Sequence, residues 1–279
     1  MKIEVLVSTM HQKNTDLINK MNLKTDAIII NQTDNSDYKE LSINNSKVRI
    51  FSFNERGVGL SRNSALMRSD ADICVLADDD MVFCDNYEET VKTAFKDNPQ
   101  ADLIIFNLIE DEKSLNRQNT AITKINILNY MNYGAARIAF KRKAISYNGI
   151  TFNLNFGGGT THQCGEDTLF LRDCLKKGLN IIAVPQAIAH LKDERDSTWF
   201  KGYNEKYFFD KGIVLALAHP LLAKPFSLYL ILRHNEYTEN GMSKKEVYKV
   251  ICNGIKFVNN KEYKRFNLWK ILYQNVGCF

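Results

Sequence analysis

Residues 74–83 read CVLADDDMVF. Four small or apolar residues run directly into three aspartates, Asp78, Asp79 and Asp80. A short unbroken apolar run is the pattern of a strand covered on both faces, as in a parallel sheet. Unit charges of like sign 4 Å apart repel by roughly 1 kcal/mol in water, and by more where water is scarce. Turns and helix caps use Asp routinely, but three after a buried strand favour a functional site. Alternate side chains of an extended chain share a face. Asp78 and Asp80 are therefore expected to converge, with Asp79 pointing elsewhere. Two converging carboxylates suit a hard cation, Mg2+ or Mn2+, with positions left open for phosphate oxygens.

Similar runs flank this one. IEVLVST (3–9), AIIIN (27–31), VRIFSF (48–53), ICVLA (73–77) and LIIFNL (103–108) read as strands. Helical patterns fall between them near 14–22, 59–69 and 85–97. This alternation predicts an open, mostly parallel α/β sheet flanked by helices, which binds ligands outside the carboxyl ends of its strands. Further on, ARIAFKRKAI (136–145) reads as a strand entering a helix, and NIIAVP (180–185) as a strand stopped by Pro185. From about residue 198 the chain reads as helical. GVGLSR (57–62) lacks the third glycine of a dinucleotide fingerprint, and no phosphate-binding GxxxxGK[ST] loop occurs.

The 279 residues, 44% of them hydrophobic, suffice for a large core and argue against disorder. Six cysteines without CxxC or zinc spacing read as reduced thiols of a cytosolic protein. MKIEVLVSTM is a strand with Glu4 inside it rather than a signal peptide. Residues 201–279 hold 13 Lys+Arg against 6 Asp+Glu, a net of +7. That surplus suits either a solvated helical surface or an anionic membrane face. GIVLALAHPLLAKPFSLYLIL (212–232) is interrupted by His219, Pro220, Lys224 and Pro225. It reads as two short helices, packed on a core or lying on a membrane, rather than a span.

A second carboxylate pair lies in GGGTTHQCGEDTLF (157–170), where Glu166 and Asp167 open a helix after three glycines. Acidic residues in a first helical turn are stabilised by the helix dipole alone. The functional alternative is a general base, Asp167, under a glycine loop that orders over a substrate. His190 follows another strand and is a candidate third metal ligand, though a lone histidine is more often structural. Beyond it, Trp199 offers an aromatic face to a sugar ring. Two chemistries fit the aspartate run. In one, a metal holds the diphosphate of a nucleotide sugar. In the other, DDDMV is the DxDx[TV] pattern of haloacid-dehalogenase phosphatases, with Asp78 as nucleophile. That motif normally ends the first strand, and no downstream GDxxxD is present.

Taken together, VLVSTM, ERGVGLSRNSAL (55–66), VLADDDMVF (75–83), CGEDTLF (164–170) and AHLKDERDSTW (189–199) resemble the family 2 glycosyltransferases of the GT-A fold over roughly the first 200 residues. The resemblance implies a GT-A domain at 1–198, with a nucleotide-sugar half at 1–110 and an acceptor and catalytic half at 111–198. A basic helical region follows at 199–279. It implies Asp78 and Asp80 as the DxD pair binding Mn2+ or Mg2+, approached by His190. It implies Asp167, beside Glu166, as catalytic base. Ser8, Thr9, Asn31, Gln32, Arg56, Arg62 and Asp79 would be donor contacts, and Gly158, Gly159 and Trp199 acceptor contacts.

The family's DDGS-like run after the second strand is INQTDNSD here (30–37), so Asn31, Gln32 or Asp34 must read the base. No QxxRW motif occurs, which argues against a processive synthase. The expected activity is inverting transfer of one sugar, from a UDP-sugar to a glycan or lipid-linked hydroxyl, in bacterial surface-glycan synthesis. The expected location is the cytoplasm, with membrane contact through the basic region. A non-catalytic nucleotide-sugar-binding module is a third reading. Nucleic acid is not an expected partner, and the sequence leaves the oligomeric state open.

Overall fold

The computed structural model describes residues 1–43, 45–109, 118–192, 202–238 and 241–259. The chain forms two compact units, residues 1–161 with 166–198, and residues 162–165 with 199–279.

The first unit is built on β1 (Ile3–Met10), β2 (Asp26–Gln32), β3 (Asp37–Ile43), β4 (Ser46–Phe53), β5 (Ile73–Asp78), β6 (Met81–Phe83), β7 (Leu103–Ile109), β8 (Thr123–Lys124), β9 (Ile138–Lys141) and β10 (Ile181–Leu191). They form one sheet in the order β3-β4-β2-β1-β5-β9-β7-β10-β6, with β8 on β10. The run β4-β2-β1-β5 is parallel throughout. Antiparallel β9 separates it from the parallel pair β7 and β10. Strand order reverses direction at β1, which makes the carboxyl ends of β1 and β5 the natural ligand crevice.

Alternation along β1 feeds two cores. Val5 and Val7 pack with α1 (Leu17–Lys20) and α3 (Tyr87–Asp97) through Leu17, Ile18, Val91 and Phe95. Leu6 packs on the other face with α2 (Val58–Arg68), α4 (Arg142–Tyr147) and α5 (Glu166–Lys176) through Ala65, Leu66, Ile145, Phe170 and Leu171. Glu4, buried inside β1, is paired with Arg49 of β4 at 2.7 Å.

The mixed, mostly parallel sheet agrees with the sequence reading, and the strand running into a helix at 136–145 is β9 followed by α4. One expectation fails. Pro185 does not stop its strand: β10 continues to Leu191. Its pairing with β7 shifts register between Ala183 and Ala187 and again between Ala187 and Ala189. Proline is tolerated at such an irregularity because no ladder bond is asked of it. The Pro185 carbonyl there accepts a bond from Asn107 Nδ2 at 2.9 Å. Edge strand β3 was not read from the sequence; DYKELSI is exposed along most of its length.

The second unit contains α6 (Glu205–Ala218), α7 (Ala223–Arg233) and α8 (Lys244–Asn259). The stretch 212–232 is two helices, broken at His219 and Pro220. Pro225 is the third residue of α7, where no intrahelical donor is lost. Among the described residues no helix is long and apolar enough to cross a membrane. His162 Nδ1 lies 2.8 Å from Asp210 Oδ1 of α6. Helices α6 and α8 meet backbone to backbone: a Cβ at Gly212 would lie 2.1 Å from the Ile251 carbonyl, and one at Gly254 2.1 Å from the Phe209 carbonyl. Gly254→Ala should therefore force the helices apart and lower unfolding free energy by about 1–3 kcal/mol in urea titration. An unchanged stability would mean that the two helices are not held at this distance.

Candidate functional site

The carboxyl ends of β4, β2, β1 and β5 lie side by side, since Ser52 pairs with Asn31, Thr9 with Asn31, and Ser8 with Asp78. The aspartate run does not stay extended: β5 ends at Asp78, and Asp79 and Asp80 form the turn into β6. Alternation by twos therefore does not set their directions. Asp79 turns to β1, where its Oδ2 accepts from Thr9 Oγ1 at 2.6 Å and from Gln12 Nε2 at 3.4 Å. Asp78 turns to α2, where its Oδ1 accepts from Arg62 at 2.9 Å. Asp80 is exposed, and its carbonyl accepts from the Lys192 backbone at 3.0 Å.

Arg62 joins the two carboxylate pairs. It is 4% exposed and donates through its second terminal nitrogen to Glu166 Oε1 at 3.0 Å. Its guanidinium also lies over the Phe152 ring, 5.4 Å from the centroid. Burial disfavours its charge, but Asp78 and Glu166 outweigh that, and its pKa is raised. Glu166, by contrast, is pushed toward its neutral form. Burial, and then the charge of Asp167, raise it to about 7 against the pull of Arg62. Asp167 Oδ1 accepts from the Thr168 backbone at 2.6 Å, in the open first turn of α5. Ser8 accepts from Ser61 of α2 at 2.9 Å.

The remaining predicted residues take more structural positions. Both ends of the Gln32 amide are used on the backbone of Gly57, at 3.0 and 3.1 Å. Asn31 is tied to the Gln12 backbone and to Ser52. Arg56 bonds the Thr33 and Glu55 carbonyls and pairs with Asp34 at 2.7 Å. The Gly158 carbonyl accepts from Val58 at 2.9 Å, and a Cβ at Gly159 would lie 2.9 Å from the Gly57 nitrogen. The glycine run is thus docked on the start of α2. Trp199 lies outside the described residues.

Sequence reasoning missed Gln12, which links Thr9, Asp79 and Asn31. Its place in the loop directly after the first strand was the available signal.

His190 is exposed on β10 and pairs with Val82, immediately after the aspartate turn. Among the described residues no three His, Cys, Asp or Glu side chains come together as a metal cluster. The donor chemistry nevertheless fits Mg2+ or Mn2+. Such ions take one or two carboxylates and complete their shell with phosphate and water, and Asp78 has one oxygen beyond its bond to Arg62.

No known family profile matches the chain, and no curated protein matches its sequence. Solved structures do match. S. aureus TarS 1–349 in complex with UDP-GlcNAc is similar with a TM-score of 0.58 at 12% identity, over 90% of this chain and 70% of that one. The same fragment with UDP gives 0.56 at 12%, over 96% and 75%. S. aureus TarS gives 0.58 at 13%, over 86% of this chain and 44% of that one. The shared feature is the fold, a mixed, mostly parallel sheet flanked by helices.

The raised Glu166 has a consequence for stability. Between its ordinary 4.5 and about 7, the unfolded chain has lost this proton while the folded chain keeps it. This group's contribution is therefore complete below about 4.5 and is lost as pH rises to about 7, by at most roughly 1.4 kcal/mol per pH unit. Urea unfolding across pH 5–8 should show the gap between wild type and Glu166→Gln moving against wild type as pH rises. A flat difference would mean that Glu166 is ionised throughout. Arg62→Leu should lower the unfolding free energy in the same urea titration by about 3 kcal/mol, because it strands the nearly buried Glu166, while half-exposed Asp78 can turn to water.

Proposed function

We propose that this protein is a metal-dependent, inverting family 2 glycosyltransferase that moves one sugar from a UDP-sugar to a hydroxyl acceptor. The observation that carries the reading is the Asp78–Arg62–Glu166 bridge, which ties the aspartate turn at the end of β5 to the acidic start of α5. Transfer needs a diphosphate site and a base near each other, and these are the two clusters of matching chemistry at the sheet's carboxyl edge. Shared fold with S. aureus TarS, crystallised with UDP-GlcNAc and with UDP, supports a uridine donor.

In this mechanism Thr9 and Asp79 bind the nucleoside side of the donor, and Asp78 and Asp80 would hold Mg2+ or Mn2+, with His190, on the strand paired with β6, the candidate third ligand. An ion held there would supply positive charge against that developing on the departing diphosphate. Arg62 keeps Asp78 and Glu166 in register. Asp167 accepts the proton of the attacking acceptor hydroxyl at its carboxylate. The acceptor oxygen bonds to the anomeric carbon as the bond to the diphosphate breaks, which inverts the configuration in one displacement. The docked 157–160 loop keeps water away from the donor. A glycan or lipid-linked acceptor of bacterial surface-glycan synthesis is the class we assign.

The phosphatase reading is disfavoured because the aspartate run closes the fifth strand and Asp78 is engaged by Arg62. Thermal-shift titration with UDP-, GDP-, CMP- and dTDP-sugars, with and without Mn2+, should show stabilisation by UDP-sugars that depends on the metal. No metal-dependent nucleotide effect would overturn the assignment. Asp167→Asn should keep that stabilisation and lose at least about 100-fold in transfer rate. Transfer near the wild-type rate would remove Asp167 as base, and donor binding without turnover on any acceptor would favour a binding module.

A further inference from the structure

Helix α7 buries one narrow side, through Ala223, Ser227 and Ile231. The opposite side carries Leu228, Tyr229 and Leu232 in the open, and Leu221 and Leu222 are exposed in the turn before it. Leu221 is 94% and Leu232 64% exposed. At 3.6 residues per turn, Leu228, Leu232, Pro225 and Tyr229 span an arc of roughly 100°. Exposed Lys224 and Arg233 fall just outside the two edges of that arc. Single exposed leucines are ordinary, but a contiguous patch marks an interaction surface.

We infer that the 221–222 turn and α7 form a surface that lies in the headgroup layer of an anionic lipid bilayer. The leucines and Tyr229 would face the acyl boundary, with Lys224 and Arg233 among the phosphates. Three observations point to this occupant. An apolar stripe edged by cations is the arrangement of helices that lie in the interface plane. From residue 211 to 235 the sequence has Lys211, Lys224 and Arg233 and no Asp or Glu, within a region of net charge +7. The 11-residue helix is about 16 Å long, half the roughly 30 Å hydrocarbon core, so it can lie on a bilayer but not cross it. A second copy fits less well. A two-fold interface sets the patch against itself, with cationic rims and no carboxylate within 211–235 to pair them. The face is also preformed: His219 stacks on Phe226 at 4.6 Å, and Arg233 donates to the Tyr229 hydroxyl.

Flotation of the full chain at low salt tests this, using phosphatidylcholine–phosphatidylglycerol vesicles against phosphatidylcholine alone. Wild type should float with the anionic vesicles and bind the neutral ones at least tenfold less. Leu228→Glu/Leu232→Glu should lose at least tenfold. Lys224→Gln/Arg233→Gln should lose about 25-fold, from about fivefold per cation at such a surface. All four side chains are exposed, so urea midpoints should not move. The inference is overturned if wild type does not float, or if the leucine variant floats like wild type. It is also overturned if wild type is a dimer that the leucine variant splits without any vesicle binding. No sugar transfer enters the measurement, so its failure leaves the proposed activity untouched.

Discussion

One buried guanidinium organises the candidate site. A charge removed from water is costly unless it is paired and hydrogen-bonded, and Arg62 meets that condition only where β5 and α5 both reach it. Its partners lie 16 and 104 residues away in sequence, so this contact fixes the end of β5 and the start of α5 relative to α2. Its Nε is buried without a hydrogen-bond partner. The two terminal nitrogens, not Nε, carry the bonds to the carboxylates.

The glycines around this bridge serve the same geometry. A Cβ at Gly59 would lie 2.8 Å from the Asn153 carbonyl, which lets α2 approach the segment before the glycine run. A Cβ at Gly157, where φ is +92°, would lie 2.7 Å from the Glu166 carboxyl carbon. Any side chain there displaces Glu166 from Arg62. The 157–160 segment is also closed on itself, since Thr160 donates to the Gly157 carbonyl through both its backbone and its hydroxyl. Close approach, more than freedom of motion, is what these glycines provide.

The central strands were legible because burial on both faces leaves long runs of Ile, Val and Leu that few other structures require. Strand β3 was not, because an exposed edge carries no apolar pattern, and Pro185 misled because a bulge absorbs what a regular ladder would reject. The carboxylates were legible as chemistry. Their directions were not, because the chain turns at Asp79, and the period of two applies only while a strand lasts. Gln32, the last residue of β2, and Arg56, just before α2, were donor contacts by the family resemblance. Whether such a polar side chain faces outward or holds a neighbouring loop depends on backbone carbonyls that local sequence does not reveal. The pairing of His162 with Asp210, 48 residues apart, is likewise invisible to any local pattern.

The charge balance of the site constrains what it can accept. Asp78, Asp79, Asp80, Glu166 and Asp167 contribute five carboxyl groups, and Arg62 is already committed to two of them. The raised pKa of Glu166 is the same surplus seen from inside: burial and Asp167 outweigh a direct bond to a guanidinium. A diphosphate brings further negative charge. At 4 Å and an effective dielectric of 20, each like-charge pair costs about 4 kcal/mol. No single hydrogen bond from Thr9 or Ser8 offsets that, since a neutral hydrogen bond nets only about 1 kcal/mol. On the proposed function, a diphosphate entering a site of this sign would call for added positive charge. The carboxylate oxygens of the aspartate turn favour a hard divalent ion over another side chain in that role. On the proposed function, the aspartate cluster and the metal are therefore one requirement, and donor affinity should rise and fall with the ion.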